Sequence, residues 1–381
     1  MGSGHDAVAA ALAARLADAG HDSVRADILT LLPAGIGRGL RAGYRTVIER
    51  APVLYAGIYR AFFRGGFQCP GNVPRPGSTP LAALAEDRLL DLLARHPADV
   101  VVPVFHLAAQ VTGRLRARGA LPVPSAVVMT EFEAHRQWLH PGNDLYLCHA
   151  EEIAAGIRRG TGCPAAGLGP IVDTRFTDPE PTEGGLTGTA LTGTALTGPG
   201  LTGPGLTGSE PGLGDRPLAL MSTGAWGIGS SLARTAALLH RDGYAPVILC
   251  GRNERLRRAL AATLETAAPG ATALGWVRDM PALMRAASVL VDNAAGQTAM
   301  EALAVGLPVI GYRPIPGHGA DGVRLMARLR LSDYARDPGE LRDSLRMLTR
   351  PGRARERRIA AGRAVFRPGA ISALASLPRD P

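Results

Sequence analysis

Short apolar runs alternate with amphipathic stretches through the second half of the chain. The apolar runs predict strands, and the stretches between them, with apolar positions three and four residues apart, predict helices. The predicted strands are Leu218–Ser222, Val247–Cys250, Leu274–Val277, Val289–Val291 and Val309–Tyr312, and the predicted helices are Leu232–His240, Glu254–Ala267, Met280–Ala286 and Thr298–Val305. Strands that alternate with helices favour a mostly parallel sheet.

The first half of the chain has a similar pattern. An alanine-rich helix is predicted over Ala7–Ala19 and ends at Gly20. Buried strands are predicted at Val100–Phe105 and Ala126–Met129, and further helices at Leu81–Arg95 and Leu107–Arg118. The chain therefore belongs to the α/β class, with one α/β domain in each half.

Five pentapeptides that begin with Leu-Thr-Gly separate the two halves, at residues 186–210. Their Gly, Thr and Pro content cannot build a core, so we expect a flexible linker. The predicted organisation is an N-terminal domain over residues 1–176, a linker over 177–216, a C-terminal domain over 217–365, and a tail over 366–381 that packs back on the N-terminal domain.

The charge of the chain is strongly basic and comes from arginine alone. The formal net charge is +9, and none of the 42 basic residues is a lysine. Arginine remains charged when partly buried and binds phosphate with two parallel hydrogen bonds. Such a balance suits phosphorylated substrates, an anionic membrane surface or nucleic acid. Nucleic acid is the least favoured, because no dense basic run has aromatic residues interleaved.

The four cysteines, Cys69, Cys148, Cys163 and Cys250, are scattered, and their spacing favours neither a zinc site nor a disulfide framework. We therefore expect a reducing, cytoplasmic environment. The chain starts without a recognisable signal peptide, and its long uncharged stretches are not apolar enough to span a bilayer. Any membrane contact is expected to be peripheral, at the inner face of the cell membrane.

The segment Asp292–Ile310 is typical of a strand, a turn of small residues, a helix and a second strand. The free N–H groups at the start of that helix suit an anion such as a pyrophosphate. Glu301 lies about one turn further on, where its carboxylate can accept two hydrogen bonds from a ribose diol. An ordinary β-α-β unit with a solvated Glu301 explains the pattern equally well.

Three further motifs follow predicted strands of the C-terminal domain. The glycine-rich loop Gly224–Gly229 can hold phosphate with its backbone N–H groups, or it is a plain connecting turn. Arg252 can bond to a base or a phosphate, or form a surface salt bridge. Backbone groups near Val277 can bind a uracil edge, and the neighbouring Trp276 is expected to be buried.

His5 lies in a glycine-containing turn directly before the first helix. The helix dipole there favours a neutral imidazole, which is suited to act as a general base. A surface histidine is the alternative. A turn of this kind ordinarily follows a strand, so we expect the first strand of the N-terminal domain to be missing, or the start of the chain to be assigned too far downstream.

Three more polar residues, His106, Glu131 and His135, follow the two predicted strands of the N-terminal domain. They can line the acceptor side of a site, or each can be structural. Residues 36–64 combine apolar helical faces with interleaved arginines. That pattern favours either a membrane-surface or lipid-acceptor segment, or a helical pair packed on its own domain.

Together these blocks resemble the GT-B glycosyltransferases of family 28, especially the monogalactosyldiacylglycerol synthases and bacterial diacylglycerol glycosyltransferases. The blocks that carry the resemblance are GSGHDAV, the Arg/Tyr-rich segment to Phe67, PADVVVPVFH, VVMTEFEAHRQWLHPGNDLYL, MSTGAWGIG, VILCGRN, GWVRDM and AAGQTAMEALAVGLPVIGYRPIPGHG. The resemblance implies two Rossmann-like domains that face a cleft.

The resemblance also implies roles for individual residues. His5 matches the histidine that activates the acceptor, Glu301 the carboxylate that binds the ribose of a UDP-sugar, and His318 lies where the family contacts the sugar. The diphosphate contacts match Gly224, Ala225, Gly227, Gly229, Gly296, Gln297 and Thr298. Neither a metal nor a cofactor is implied, because the UDP-sugar is a co-substrate.

Two departures from the family pattern concern specificity. Relatives usually have Asp where this chain has Glu131, and they often have Asn near Gly322, where this chain reads Ala320-Asp321-Gly322. We expect an inverting hexosyltransferase that acts on diacylglycerol or a related lipid. The alternatives are a glycosyltransferase of a soluble natural product, a UDP-sugar epimerase of the same fold, and an inactive nucleotide-binding relative.

Overall fold

The computed structural model describes residues 3–50, 57, 79–178 and 216–378. It contains two compact units. Unit 1 comprises residues 1–173, 316–321 and 365–381, and unit 2 comprises residues 174–315 and 322–364. The pentapeptide repeats and the second half of the segment 36–64, apart from residue 57, lie outside the described residues, so the predictions made for them stay predictions.

The described residues of unit 1 form helices and a small sheet. The helices are α1 (Ser3–Asp18), α2 (Ile36–Arg50), α3 (Thr79–Ala83), α4 (Glu86–Arg95), α5 (His106–Ala117) and α6 (Glu151–Thr161), and the strands are β1 (Ala126–Val128), β2 (Leu145–Cys148) and β3 (Ala165–Gly167). The three strands are parallel, in the order β1-β2-β3.

The predicted strand Val100–Phe105 is wrong as a regular strand. The segment is extended beside β1, where Val101 forms a parallel bridge with Ser125 and the Val128 N–H donates to the Pro103 carbonyl over 2.9 Å. Pro103 has no N–H to return to the ladder, which limits the pairing to a bridge. The segment nevertheless brings His106 to the carboxyl edge of β1.

The predicted helix Leu81–Arg95 is divided into α3 and α4. The break falls at Leu84 and Ala85, and α4 then begins with Glu86 and Asp87. Two acidic residues are stabilised in the first turn of a helix by its dipole, which favours a new helix start here.

The helix that ends the described part of unit 1 packs against the first helix. Leu374 is 3% exposed and lies in one apolar cluster with Val8, Leu12 and Leu147. Arg15 of α1 adds a hydrogen bond of 2.8 Å to the Val172 carbonyl. Residues of the predicted tail therefore lie on the core of unit 1.

Helix α2 is amphipathic, as predicted. Leu40, Tyr44 and Val47 are half-buried along one face, whereas Arg38 and Arg41 are exposed. Leu40 packs against the apolar cluster that contains Leu29. In the part of the chain that the structure describes, no helix is long and apolar enough to cross a bilayer. Membrane contact by α2 stays a prediction.

In its described residues, unit 2 is a six-stranded sheet covered by helices. Its strands are β4 (Leu218–Ser222), β5 (Ala245–Leu249), β6 (Thr272–Leu274), β7 (Val289–Asp292), β8 (Val309–Tyr312) and β9 (Asp333–Ala335). Its helices are α7 (Leu232–Arg241), α8 (Glu254–Ala267), α9 (Met280–Ala286), α10 (Gln297–Val305), α11 (His318–Arg328), α12 (Pro338–Thr349) and α13 (Arg353–Ala364). The first residues of α11 group with unit 1, and the last described helix, α14 (Ala370–Ala375), belongs to unit 1.

All strands of unit 2 are parallel, in the order β6-β5-β4-β7-β8-β9. Counted from β4, this is the Rossmann order 3-2-1-4-5-6. The α/β class with parallel sheets is therefore confirmed. The order reverses between β4 and β7, and ligands of such sheets bind outside the carboxyl ends of the strands at this switch point.

Most predicted elements of unit 2 are confirmed within one or two residues, and β6 is the exception. The apolar run Leu274–Val277 was predicted as a strand, but the strand ends at Leu274. Trp276 was expected to be buried and is instead 52% exposed. Because the pairing with β5 stops at Leu274, Trp276 lies in the loop beyond the sheet.

The single turn Thr174–Phe176 belongs to unit 2, although the sequence assigned it to the end of the N-terminal domain. The Arg285 guanidinium donates to the carbonyls of Arg175 and Asp178, which ties this turn to α9.

Candidate functional site

The glycine-rich loop lies at the switch point of unit 2, directly after β4. Gly224 and Gly227 have φ values of +66° and +67°, in the left-handed region that favours glycine. A Cβ on Gly227 would lie 2.7 Å from the Asn253 Cβ. The Thr223 hydroxyl donates to the Leu249 carbonyl over 2.6 Å and anchors the start of the loop on β5. The predicted phosphate loop thus has a close-packed, defined backbone.

The turn after β5 forms hydrogen bonds with this loop. The Arg252 N–H donates to the Ala225 carbonyl over 2.8 Å, and the Asn253 amide donates to the Trp226 carbonyl over 3.0 Å. Gly251 has a φ of +59°, and a Cβ there would lie 2.5 Å from the Gly224 oxygen. Only glycine fits between the two turns, which places the exposed Arg252 beside the loop.

The turn after β7 closes the other side of the switch point. The buried Asp292 carboxylate accepts from the N–H groups of Ala294 (3.0 Å) and Ala295 (2.6 Å). Burial raises the pKa of Asp292, and these hydrogen bonds oppose the shift. Ala295 has a φ of +51°, a strained value for alanine. The Asn293 amide donates to the Ile228 carbonyl over 2.8 Å, so one side chain links this turn to the glycine-rich loop.

Helix α10 starts at this turn with its first amides uncapped by a side chain. Its cap residue is Gly296, and a Cβ there would meet nothing within 4 Å. Open space at Gly296, directly before the amides of Gln297 and Thr298, suits an anion. Glu301 is half-buried and lies four residues after Gln297, so it shares the helix face of the first turn. The structure therefore brings Gly224–Gly229, Gly296, Gln297, Thr298 and Glu301 to the same edge of one sheet.

A cation–π pair lies at the same edge. The Arg252 guanidinium carbon is 4.4 Å from the centre of the Trp276 ring. Val277, which is half-buried, follows directly. A salt bridge was one expectation for Arg252, but its aromatic partner was not predicted, because Trp276 was expected to be buried. The side chain of His318 lies outside the described residues, so its predicted sugar contact stays a prediction.

In unit 1, His5 lies in the first turn of α1 and points to the carboxyl edge of β1. Its Nδ1 is 2.9 Å from the Val104 carbonyl oxygen and 2.9 Å from the Thr130 hydroxyl. The Phe105 ring packs edge-on against the imidazole, with the ring centres 4.9 Å apart. His5 is thus held by Thr130, which follows β1, and by Val104 and Phe105 at the end of the extended segment beside β1.

The structure brings the other predicted acceptor-side residues to the same place. The His106 and His135 rings are 5.3 Å apart, and the His135 Nε2 is 3.7 Å from the Glu131 Oε2. Trp138 joins them: its ring centre is 6.2 Å from that of His5 and 6.1 Å from that of His106. We use the name His5 cluster for the following residues: His5, Phe105, His106, Glu131, His135 and Trp138.

Glu131 is the acid of the His5 cluster, and its pKa is raised. Burial raises the pKa of Glu131 to about 8, the charge of Glu133 acts in the same direction, and the Trp138 indole opposes them. The carboxyl group is therefore mainly protonated at neutral pH and can donate a hydrogen bond. Among the described residues, no group of three or more His, Cys, Asp or Glu side chains can hold a metal ion.

Sequence reasoning missed Phe105, Thr130, Trp138 and His149. His149 follows β2, is 2% exposed and packs against Phe132, and burial lowers its pKa to about 3. β2 has only four residues and was not predicted from the sequence, so His149 was not recognised as a residue at the carboxyl end of a strand. A strand assignment at Leu145–Cys148 would have pointed to His149.

Comparisons with known proteins agree with these features. Residues 5–164 match the family model described as monogalactosyldiacylglycerol (MGDG) synthase. The chain is 24% identical over 264 residues to processive diacylglycerol beta-glucosyltransferases of Bacillus thuringiensis and Bacillus mycoides. The match covers 68% of this chain and 62% of each relative, so the chain spans less than two thirds of their length.

Solved structures share the fold. MurG from Acinetobacter baumannii superposes with a TM-score of 0.54 and 16% identity, over 99% of this chain and 97% of that chain. A glycotransferase of kitacinnamycin gives 0.52 and 13% identity, over 93% and 85%. A UGT transferase from Siraitia grosvenorii in complex with UDP gives 0.51 and 12% identity, over 81% and 89%. These similarities support the predicted fold.

Proposed function

We propose that this chain, a GT-B protein of the family 28 type, transfers a hexose from a UDP-sugar to diacylglycerol or a related lipid, with inversion at the anomeric carbon. The observation that carries the proposal is the pair of loops at the switch point of unit 2, tied together by the Asn293 amide. They surround the N-terminus of α10, with Glu301 one turn inside.

The donor half of the proposal rests on the chemistry of these loops. Backbone N–H groups after Gly224 and at Gln297 and Thr298 bind the diphosphate, and the Glu301 carboxylate accepts from the two ribose hydroxyls. Helix-start amides stabilise the negative charge that develops on the leaving UDP. Arg252 and Trp276 lie at the same edge and offer a surface for the nucleoside.

The acceptor half rests on the His5 cluster. His5 takes the proton from the acceptor hydroxyl, the acceptor oxygen forms the bond to the sugar C1, and the electrons of the broken C1–O bond leave with the diphosphate. A direct displacement of this kind inverts C1. The protonated Glu131 donates a hydrogen bond to the acceptor, and His106 and His135 line the same site.

A lipid acceptor is supported by the names of the relatives, which act on diacylglycerol, and by α2. Arg38 of α2 is exposed and suits anionic head groups, with about 1 kcal/mol of attraction for each arginine near the surface. Arg41 is exposed as well, but it pairs with Asp27 over 2.5 Å. We therefore propose peripheral binding at the inner face of the cell membrane.

A donor-by-acceptor screen tests this function. The protein is incubated with radiolabelled UDP-glucose, UDP-galactose or UDP-N-acetylglucosamine, and with liposomes that contain diacylglycerol and anionic phospholipid. We expect label in a hexosyl lipid with at least one donor. Glu301→Ala should strongly lower transfer at donor concentrations that just saturate the wild type, whereas Glu265→Ala, which replaces an exposed acid on α8, should not.

Three outcomes count against the proposal. Transfer only to soluble acceptors would support a glycosyltransferase of natural products. Conversion of free UDP-sugar without acceptor would support an epimerase. Binding of UDP without turnover of any donor would support an inactive nucleotide-binding relative.

A further inference from the structure

The His5 imidazole is held at one nitrogen by two oxygen atoms. Its Nδ1 lies 2.9 Å from the Val104 carbonyl oxygen and 2.9 Å from the Thr130 hydroxyl. A carbonyl oxygen only accepts, so a contact of this length requires the hydrogen of the neutral ring to be on Nδ1. The lone pair of the ring is then on Nε2, the nitrogen that can take up a proton.

Both oxygen atoms are fixed by the sheet rather than by α1. Thr130 follows β1, is 6% exposed and has a branched Cβ that restricts its rotamer. Val104 follows Pro103, whose carbonyl accepts from the Val128 N–H over 2.9 Å. The Phe105 ring limits rotation of the imidazole from the side, at 4.9 Å between ring centres. The orientation of His5 is therefore determined by the carboxyl edge of β1.

The geometry points to Thr130 and the Val104 carbonyl as the pair that positions His5, holding it in the Nδ1–H tautomer so that Nε2 takes the proton of the acceptor hydroxyl. This inference rests on the proposed function, in which His5 is the base. Two oxygen dipoles directed at Nδ1–H also stabilise the imidazolium that forms when Nε2 is protonated. The same task is performed by a carboxylate in Ser-His-Asp sites.

Nitrogen NMR of the protein labelled with ¹⁵N-histidine tests the tautomer without any need for activity. The His5 signals are assigned by their loss in His5→Gln. We expect the protonated nitrogen to be Nδ1 in the wild type, and we expect Thr130→Val to lower the fraction of this tautomer. A wild-type His5 protonated at Nε2 would overturn the inference.

Kinetics separate positioning from a merely structural role. Removing one hydrogen bond to the charged ring in Thr130→Val should lower kcat about tenfold, with the KM for the UDP-sugar unchanged. Thr130→Ser retains the hydroxyl and should remain within about twofold of the wild type. Thr161→Val removes a hydroxyl that donates to the Ile157 carbonyl in α6, away from the cluster, and should leave kcat unchanged.

The kinetic and NMR measurements test the positioning of His5 separately from the transfer reaction. An unchanged kcat in Thr130→Val, or an equal loss in Thr130→Ser, would contradict the positioning role. A wild type that transfers no sugar would refute the proposed function, and the NMR result would still decide how His5 is held.

Discussion

Replacing Glu131 by Gln should remove a pH-dependent cost in the stability of unit 1. Glu131 ionises in the unfolded chain near its ordinary pKa of 4.5, whereas burial raises its pKa in the folded protein to about 8. Between these values the folded state holds a proton that the unfolded state has released. The free energy of unfolding therefore falls as the pH rises from about 4.5 to about 8.

The size of this effect follows from the pKa difference. At about 1.4 kcal/mol for each pKa unit, it corresponds to about 5 kcal/mol. For a unit of this size, that is about 10–20 °C in the unfolding temperature.

Scanning calorimetry at pH 5, 7 and 9 measures the effect. Glutamine resembles the protonated acid in shape, so Glu131→Gln should match the wild type at pH 5 and unfold at a higher temperature at pH 9. Glu152→Gln, which replaces an exposed acid on α6, should follow the wild type throughout. A difference between Glu131→Gln and the wild type that does not change with pH would show that ionisation of Glu131 does not lower the stability of the folded protein.

Three further predictions concern other parts of the two units. Burial lowers the pKa of His149 to about 3, so between pH 6.5 and 3 only the unfolded state binds a proton at this residue. Unit 1 should therefore lose stability as the pH falls through this range, and His149→Leu should lose less stability in acid unfolding curves. Gly251→Ala should destabilise unit 2 by about 3 kcal/mol in urea unfolding, because its Cβ would lie 2.5 Å from a carbonyl oxygen. Gly243→Ala is the matched control, since Gly243 also has a positive φ but open space around it, and an equal loss in both would contradict the steric argument. Glu301→Ala should weaken UDP binding, measured by calorimetry, by about 100-fold, because two hydrogen bonds to a charged acceptor are lost. Glu301→Gln should weaken it by less. If Glu301→Ala binds UDP as tightly as the wild type, Glu301 is excluded from the ribose site.

The sequence pattern predicted unit 2 better than unit 1 for a physical reason. Strands of four or five apolar residues, such as Leu218–Ser222 and Val309–Tyr312, are buried on both faces and therefore stand out. β3, by contrast, consists of Ala165, Ala166 and Gly167, which carry no apolar signal. Its identity as a strand comes from pairing with β2, a contact between segments that sequence periodicity does not report.

The sequence predicted individual residues of the site but not the contacts between them. His5, His106, Glu131 and His135 were each singled out, and the structure brings them together at one edge of the sheet. The partners of the His5 Nδ1 come from residues 99 and 125 positions away. A backbone carbonyl such as that of Val104 has no sequence signature, so the tautomer of His5 could only come from the fold.

The anomeric configuration of the product tests the proposed sugar transfer. Purified protein, UDP-glucose or UDP-galactose and diacylglycerol vesicles are followed by proton NMR and mass spectrometry. We predict one hexosyl-diacylglycerol for each UDP released, with the β configuration obtained by inversion of the α-linked donor. An α-linked product, or UDP release without a hexosyl lipid, would contradict it.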